Sequence, residues 1–176
     1  MSFTGKPQSE INALERRVVG DLRIADLPPF LRVLLTTDGT VTNSLEAFFW
    51  EPVAVELIQQ KEQVLEADAP LVGLLKGQNT VVRHVQLKGV NSGAVYVKAD
   101  SLIRLDLLPD SFRHELTEQK LGIGELLRDC GLETYREILE IGYDVELQGV
   151  YRTYKIVMDH RPFIQITEHF PLAVFQ

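Results

Sequence analysis

A guanidinium and a carboxylate each stand in a row of aliphatic side chains, on two stretches far apart in the chain. Thr80–Gly89 alternates with the period of a half-buried strand. Val81, Val85 and Leu87 fall on one face with Arg83 among them, and Val82, His84, Gln86 and Lys88 fall on the other. Phe163–Phe170 repeats the pattern with the opposite charge: Ile164, Ile166 and Phe170 share a face, and Glu168 lies between the last two. An unpaired charge on a buried face is costly or neutralises. Three arrangements satisfy this: Arg83 and Glu168 form one buried ion pair, one or both faces are solvated, or the two border an enclosed polar site for a small anion. A third chemical element is backbone. Leu121–Gly131 spaces Ile123, Leu126, Leu127 and Cys130 along one buried helix face. Gly122 and Gly124 lie in its first turn, where they either leave main-chain amides open to a carboxylate or merely permit a tight turn.

Several elements must position these groups. Residues 1–27 are mixed and polar, with a weak helical signal over Glu10–Val19. Phe30–Leu35 reads as a helix after Pro28–Pro29, and Thr36–Thr40 carries a D-G turn signal. Asn43 with Glu46 suggests a capping box opening a helix through Trp50. This helix–turn–helix outline has no basic lining, so it reads as a lid or flap. Pro52–Gln60 alternates as a strand, and Lys61–Gln78 as a connecting loop. Lys88–Gly93 turns the Arg83 strand into a return strand over Ala94–Ala99. Leu102–Leu108 leads to Pro109, and Asp110 can cap a helix to about Gln119. Tyr135–Val145 is ambiguous between helix and strand. Val150–Met158 alternates Val150, Arg152, Tyr154, Ile156 and Met158 against Tyr151, Thr153, Lys155 and Val157. Strand hairpins with helices grouped between them predict an α+β fold with an antiparallel sheet.

The 176 residues form most simply one domain over 1–176, with 1–27 as an N-terminal extension. A net charge of −7 disfavours nucleic acid and anionic membranes as partners. The single cysteine, Cys130, excludes an intramolecular disulfide and leaves no cluster for structural zinc. The four histidines are scattered, and there is no P-loop, G-x-S-x-G elbow, H-E-x-x-H or dinucleotide fingerprint. Metal and nucleotide cofactors are therefore not expected. Neither a signal peptide nor a membrane span is expected, and the cytoplasm is the expected compartment.

TDGTVTNSLEAFF, VVRHVQL, IGELL, YREILEIG and RPFIQITEHFPL, in that order, resemble the chorismate lyase (chorismate–pyruvate lyase) family from about Phe30 to Pro171. The resemblance implies a single antiparallel sheet of about six strands, with helical flaps over a buried ligand site. It implies a cofactor-independent carbon–oxygen lyase that splits chorismate into pyruvate and 4-hydroxybenzoate, a quinone head-group precursor. The family's site arginine falls on Arg83 and its site glutamate on Glu168. Its main-chain contact falls on Ile123 before Gly124, and a contact in the first flap on Val41 before Thr42. Val41 is smaller than the family's methionine, so a main-chain contact is what carries over there. Arg83 would clasp the ring carboxylate and Glu168 would meet the ring hydroxyl at the opposite end. The residues leave open whether Glu168 accepts a proton or orients the ring; aromatisation as the driving force, and a nearby Arg83, favour orientation. The alternative is a non-catalytic effector-binding domain of the same fold, which would normally follow a basic DNA-binding module. Only about 27 unexceptional residues precede the body of the chain, too few for one.

Overall fold

The computed structural model describes residues 15–118 and 121–176. Two helices come first. Helix α1 (Pro29–Thr36) begins with Pro29 at its first position, where the missing N–H costs nothing. Leu31, Leu34 and Leu35 follow at helical spacing and are fully buried. Helix α2 (Val41–Phe49) starts three residues earlier than the capping-box reading requires, with Thr40 as its N-cap. Asn43 therefore lies inside the helix, and Glu46 instead accepts the backbone N–H of Val53 at 3.0 Å. Trp50 ends the helix in the left-handed region, with φ 54°.

Six antiparallel strands form one sheet: β1 (Val53–Val64), β2 (Asn79–Gly89), β3 (Val95–Arg104), β4 (Tyr135–Asp144), β5 (Gly149–Met158) and β6 (Arg161–Pro171). Their order is β1-β2-β3-β6-β5-β4. Helices α3 (Asp110–Glu118) and α4 (Ile123–Asp129) lie between β3 and β4. Asp110 is the first residue of α3 rather than its cap; the carbonyl of Pro109 accepts from Arg113 N–H. Gln119, the expected helix end, lies outside the described residues. The α+β architecture with one six-stranded antiparallel sheet is the one expected.

Two bulges explain where the alternation misleads. Between Leu57 and Gln59 the register of β1 against β2 shifts, so that Gln60 takes an inward position and the strand continues to Val64, into what reads as a loop. Between Ile138 and Glu140 β4 slips against β5. Arg136 and Ile138 face the core side before the bulge and Ile141 after it, which mimics a helical spacing. Tyr135–Asp144 is a strand. Of the Glu10–Val19 helical signal, residues 10–14 lie outside the described part. Val18 bridges Ile141 on the open edge of β4, with Val19 N–H to Ile141 O at 2.8 Å. This covers an edge that would otherwise present unpaired backbone groups.

The ladder fixes three inward rows across the sheet. The first reads Leu57, Val85, Ala99, Glu168, Arg152, Ile141. The second reads Gln60, Arg83, Ser101, Ile166, Tyr154, Ile138, and the third ends Ile164, Ile156, Arg136. Stacked rings pin the first helix pair to this frame. Phe30 lies on Phe48 and Phe49 on Tyr96, each at 3.9 Å between centroids, and Phe175 packs against Phe30, Phe49 and Phe170. Glu51 accepts hydrogen bonds from Tyr96 and from the amides of Asn91 and Ser92. Its carboxyl is held down at about 2, first by the Tyr96 bond. Gly89 is needed beside it, because a Cβ there would lie 2.4 Å from Ser92 Oγ and 2.5 Å from Glu51.

Candidate active site

A cavity of about 70 Å3 lies between the inward face of the sheet and the linkers of the two helix pairs. Gly39–Thr42 close it from the α1–α2 side and Gly122–Gly124 from the α3–α4 side. Val41, Arg83, Ile123, Gly124 and Glu168 all border it. The sequence places these residues on four separate elements, and the fold brings them around one cavity.

Arg83 and Glu168 do not pair with each other. They stand two strands across and two residues along the ladder, on the order of 12 Å apart at the backbone. Arg83 is 1% exposed. Its Nη2 donates to Leu121 O at 2.5 Å, and its Nε is buried without a partner. Burial pushes its pKa down to about 10, which leaves it charged at neutral pH. No described carboxylate forms an ion pair with it. A buried cation left without an anion is among the costliest arrangements a core can hold.

Each oxygen of Glu168 has a partner. Its Oε2 accepts from Arg152 Nε at 2.7 Å and its Oε1 from Tyr154 Oη at 3.0 Å. Arg152 lies directly across the ladder from it and is 1% exposed. Burial, then the neighbouring Glu168 charge, raises the Tyr154 phenol well above its ordinary range, so it donates rather than ionises. Arg152 and Tyr154 are the functional neighbours that sequence reasoning missed, although Arg152 was visible as a charge in the aliphatic row of Val150–Met158. The guanidinium that meets this carboxylate is Arg152, not Arg83.

The arginines also hold the linkers. Arg152 Nη1 donates to Thr37 O at 2.7 Å and Arg136 Nη1 to Asp38 O at 2.5 Å, both between α1 and α2. Arg83 reaches the corresponding segment between α3 and α4 at Leu121. In the first turn of α4, Gly124 leaves space that a Cβ would fill 3.3 Å from Arg136 Nη2. Helical amides at such a start have no carbonyl partner within the helix. Among the described residues no group of histidine, cysteine and acidic side chains is arranged to hold a metal ion, and no helix is long and apolar enough to cross a membrane.

Comparison with solved structures supports the fold. PhnF from Mycobacterium smegmatis superposes with a TM-score of 0.57 at 13% identity, covering 80% of this chain and 67% of that one. The C-terminal domain of the histidine utilization repressor from Pseudomonas syringae gives 0.51 at 10% identity, over 69% of this chain and 92% of that one. At sequence level, the chorismate pyruvate-lyase of Mycobacterium leprae is 32% identical over 93% of this chain and 84% of its own length. The chorismate pyruvate-lyase of Mycobacterium tuberculosis H37Rv is 27% identical over 90% and 87%. Residues 35–176 match the model of the Rv2949c-like chorismate pyruvate-lyases. The span of that match takes in the whole sheet and every residue bordering the cavity, and the chain belongs to the Rv2949c-like chorismate pyruvate-lyase family.

Proposed function

We propose that the protein eliminates pyruvate from chorismate to give 4-hydroxybenzoate, in the cavity bordered by Arg83 and Glu168. The observation that carries this reading is the asymmetry of the two charges. Arg83 is a buried guanidinium with a free edge and no carboxylate, whereas Glu168 is held in place by Arg152 and Tyr154. A ring with a carboxylate at one end and a para hydroxyl at the other complements that pair. Arg83 takes the carboxylate, with main-chain N–H groups at Ile123 and Gly124 as further donors and the Val41 backbone closing the flap side. Glu168 accepts the hydroxyl proton in a hydrogen bond.

The step is an elimination. The ring carbon bearing the hydroxyl loses its proton and the ether C–O bond breaks. The enolpyruvate that leaves is protonated and tautomerises to pyruvate. The ring becomes aromatic, nothing external is oxidised or reduced, and the reaction as written needs neither metal nor organic cofactor. The protein's part is to hold the reactive conformer, shield it from water and place charge. With Arg152 and Tyr154 occupying one lone pair on each oxygen, Glu168 is better suited to orient the hydroxyl than to receive and keep a proton.

Incubation of the purified protein with chorismate should yield 4-hydroxybenzoate and pyruvate in equal amounts, before and after dialysis against a chelator. Binding without turnover would instead support a non-catalytic effector domain.

A further inference from the structure

Chorismate carries two carboxylates, and Arg83 accounts for one. Resting on the reading above, we propose that Arg136 receives the second, the carboxylate of the enolpyruvyl side chain. Arg136 is thereby the residue that distinguishes the dianionic substrate from its monoanionic aromatic product.

Three observations converge on it. Arg136 borders the cavity, forms no ion pair among the described residues, and has a buried Nε without a partner. Its one side-chain hydrogen bond among the described residues, from Nη1 to Asp38 O, leaves the rest of the guanidinium fork uncommitted. It also lies at the correct end. Its guanidinium carbon is 6.0 Å from the centre of the Tyr154 ring, and Tyr154 donates to Glu168. In chorismate the ether oxygen is on the carbon next to the one bearing the hydroxyl. If Glu168 holds that hydroxyl, the enolpyruvyl carboxylate must project from the Glu168 end of the ring, away from Arg83.

Arg152 is the other guanidinium at this end and does not compete. Its charge is matched by Glu168, and it does not line the cavity. Arg136 has space to act because residue 124 is glycine. It also borders a second, outer cleft with Gly39, Thr40, Leu127, Arg128 and Leu132. After the C–O bond breaks, the carboxylate on Arg136 belongs to pyruvate rather than to the ring. Pyruvate therefore departs toward that cleft, while 4-hydroxybenzoate remains on Arg83.

The test uses a stable dicarboxylate, 3-(carboxymethoxy)-4-hydroxybenzoate, beside 4-hydroxybenzoate, titrated calorimetrically into wild type, Arg136→Gln and Arg136→Lys. Arg136→Gln should weaken the dicarboxylate by roughly 10- to 100-fold, the loss expected for a hydrogen bond to a charged group. It should leave 4-hydroxybenzoate within about twofold, a result that also shows the cavity intact; Lys should recover part of the loss. Its kcat/KM for chorismate should fall by a similar factor. Equal weakening of both ligands, or of neither, overturns the proposal. A wild-type protein that binds both ligands but releases no pyruvate from chorismate defeats the lyase reading instead, and leaves the comparison between the two ligands valid.

Discussion

At the scale of single residues, the site is a set of guanidiniums with different obligations. Arg152 is committed to Glu168, so removing it strands a buried carboxylate. Arg152→Met should destabilise the protein by about 3–5 kcal/mol, measured by urea unfolding, because an uncompensated charge remains in the core. Glu168→Gln separates chemistry from orientation. Gln retains one acceptor oxygen, so the single-turnover rate with chorismate should fall by less than about tenfold, against roughly 10²–10⁴-fold for a lost general base. A thousand-fold fall with substrate affinity unchanged would make Glu168 the proton acceptor. Arg83 and Glu168 were legible in the sequence because each interrupts a stretch of unbroken period two, the irregularity of β6 at Phe163 falling before the Ile164–Phe170 row. Arg152 interrupts its row in the same way, but only the ladder shows that it faces Glu168. Arg136 was not legible, since the bulge after Ile138 removes the alternation that would have made it conspicuous.

At the scale of elements, the flaps were visible as helix pairs, but their anchors were not. The anchors are contacts between distant segments: guanidiniums bonded to linker carbonyls, Glu51 across to the β2–β3 turn, and Phe175 returning against α2. Local patterns carry no record of such pairings. Burial in α1 can be tested directly. Leu31 is fully buried under the flap, so Leu31→Ala should cost about 2–5 kcal/mol in urea unfolding. On the outer face of the sheet, His169 contacts Asp100 at 3.3 Å and Asp144 at 2.6 Å, and His84 also meets Asp100. The hydrogen bond to Asp100 is the main reason that the His169 pKa is raised, and the same bond lowers that of Asp100. A raised histidine pKa contributes stability that is complete below its unfolded value of about 6.5 and is lost as pH rises through the folded value. The difference in unfolding free energy between wild type and His169→Gln should therefore be larger at pH 6 than at pH 9. Solvent screening should keep it below about 1 kcal/mol. A difference that grows with pH would contradict the assignment.

At the scale of the whole molecule, the chain repeats one plan: a helix pair followed by a three-stranded antiparallel run, then the same again. The sheet order β1-β2-β3-β6-β5-β4 joins the two halves through β3 and β6, as a two-fold arrangement would. Arg83 is on the middle strand of the first half and Arg152 on that of the second. Each donates to the helix-pair linker of the opposite half, at Leu121 and Thr37. The sequence shows no repeat because the correspondence lies in topology, and the halves have taken different charges: Arg152 faces a glutamate, whereas Arg83 pairs with no described carboxylate. Arg83 at one end and Arg136 at the other give the cavity a cationic lining within a chain of net charge −7.

The most direct measurement is a calorimetric titration of 4-hydroxybenzoate into wild type and into Arg83→Ala, with folding of both verified. If the Arg83 guanidinium is the carboxylate receptor, the substitution should cost about 2–5 kcal/mol of binding free energy, and Arg83→Lys should restore only part, since lysine lacks the planar fork. Unchanged affinity in folded Arg83→Ala would contradict the account.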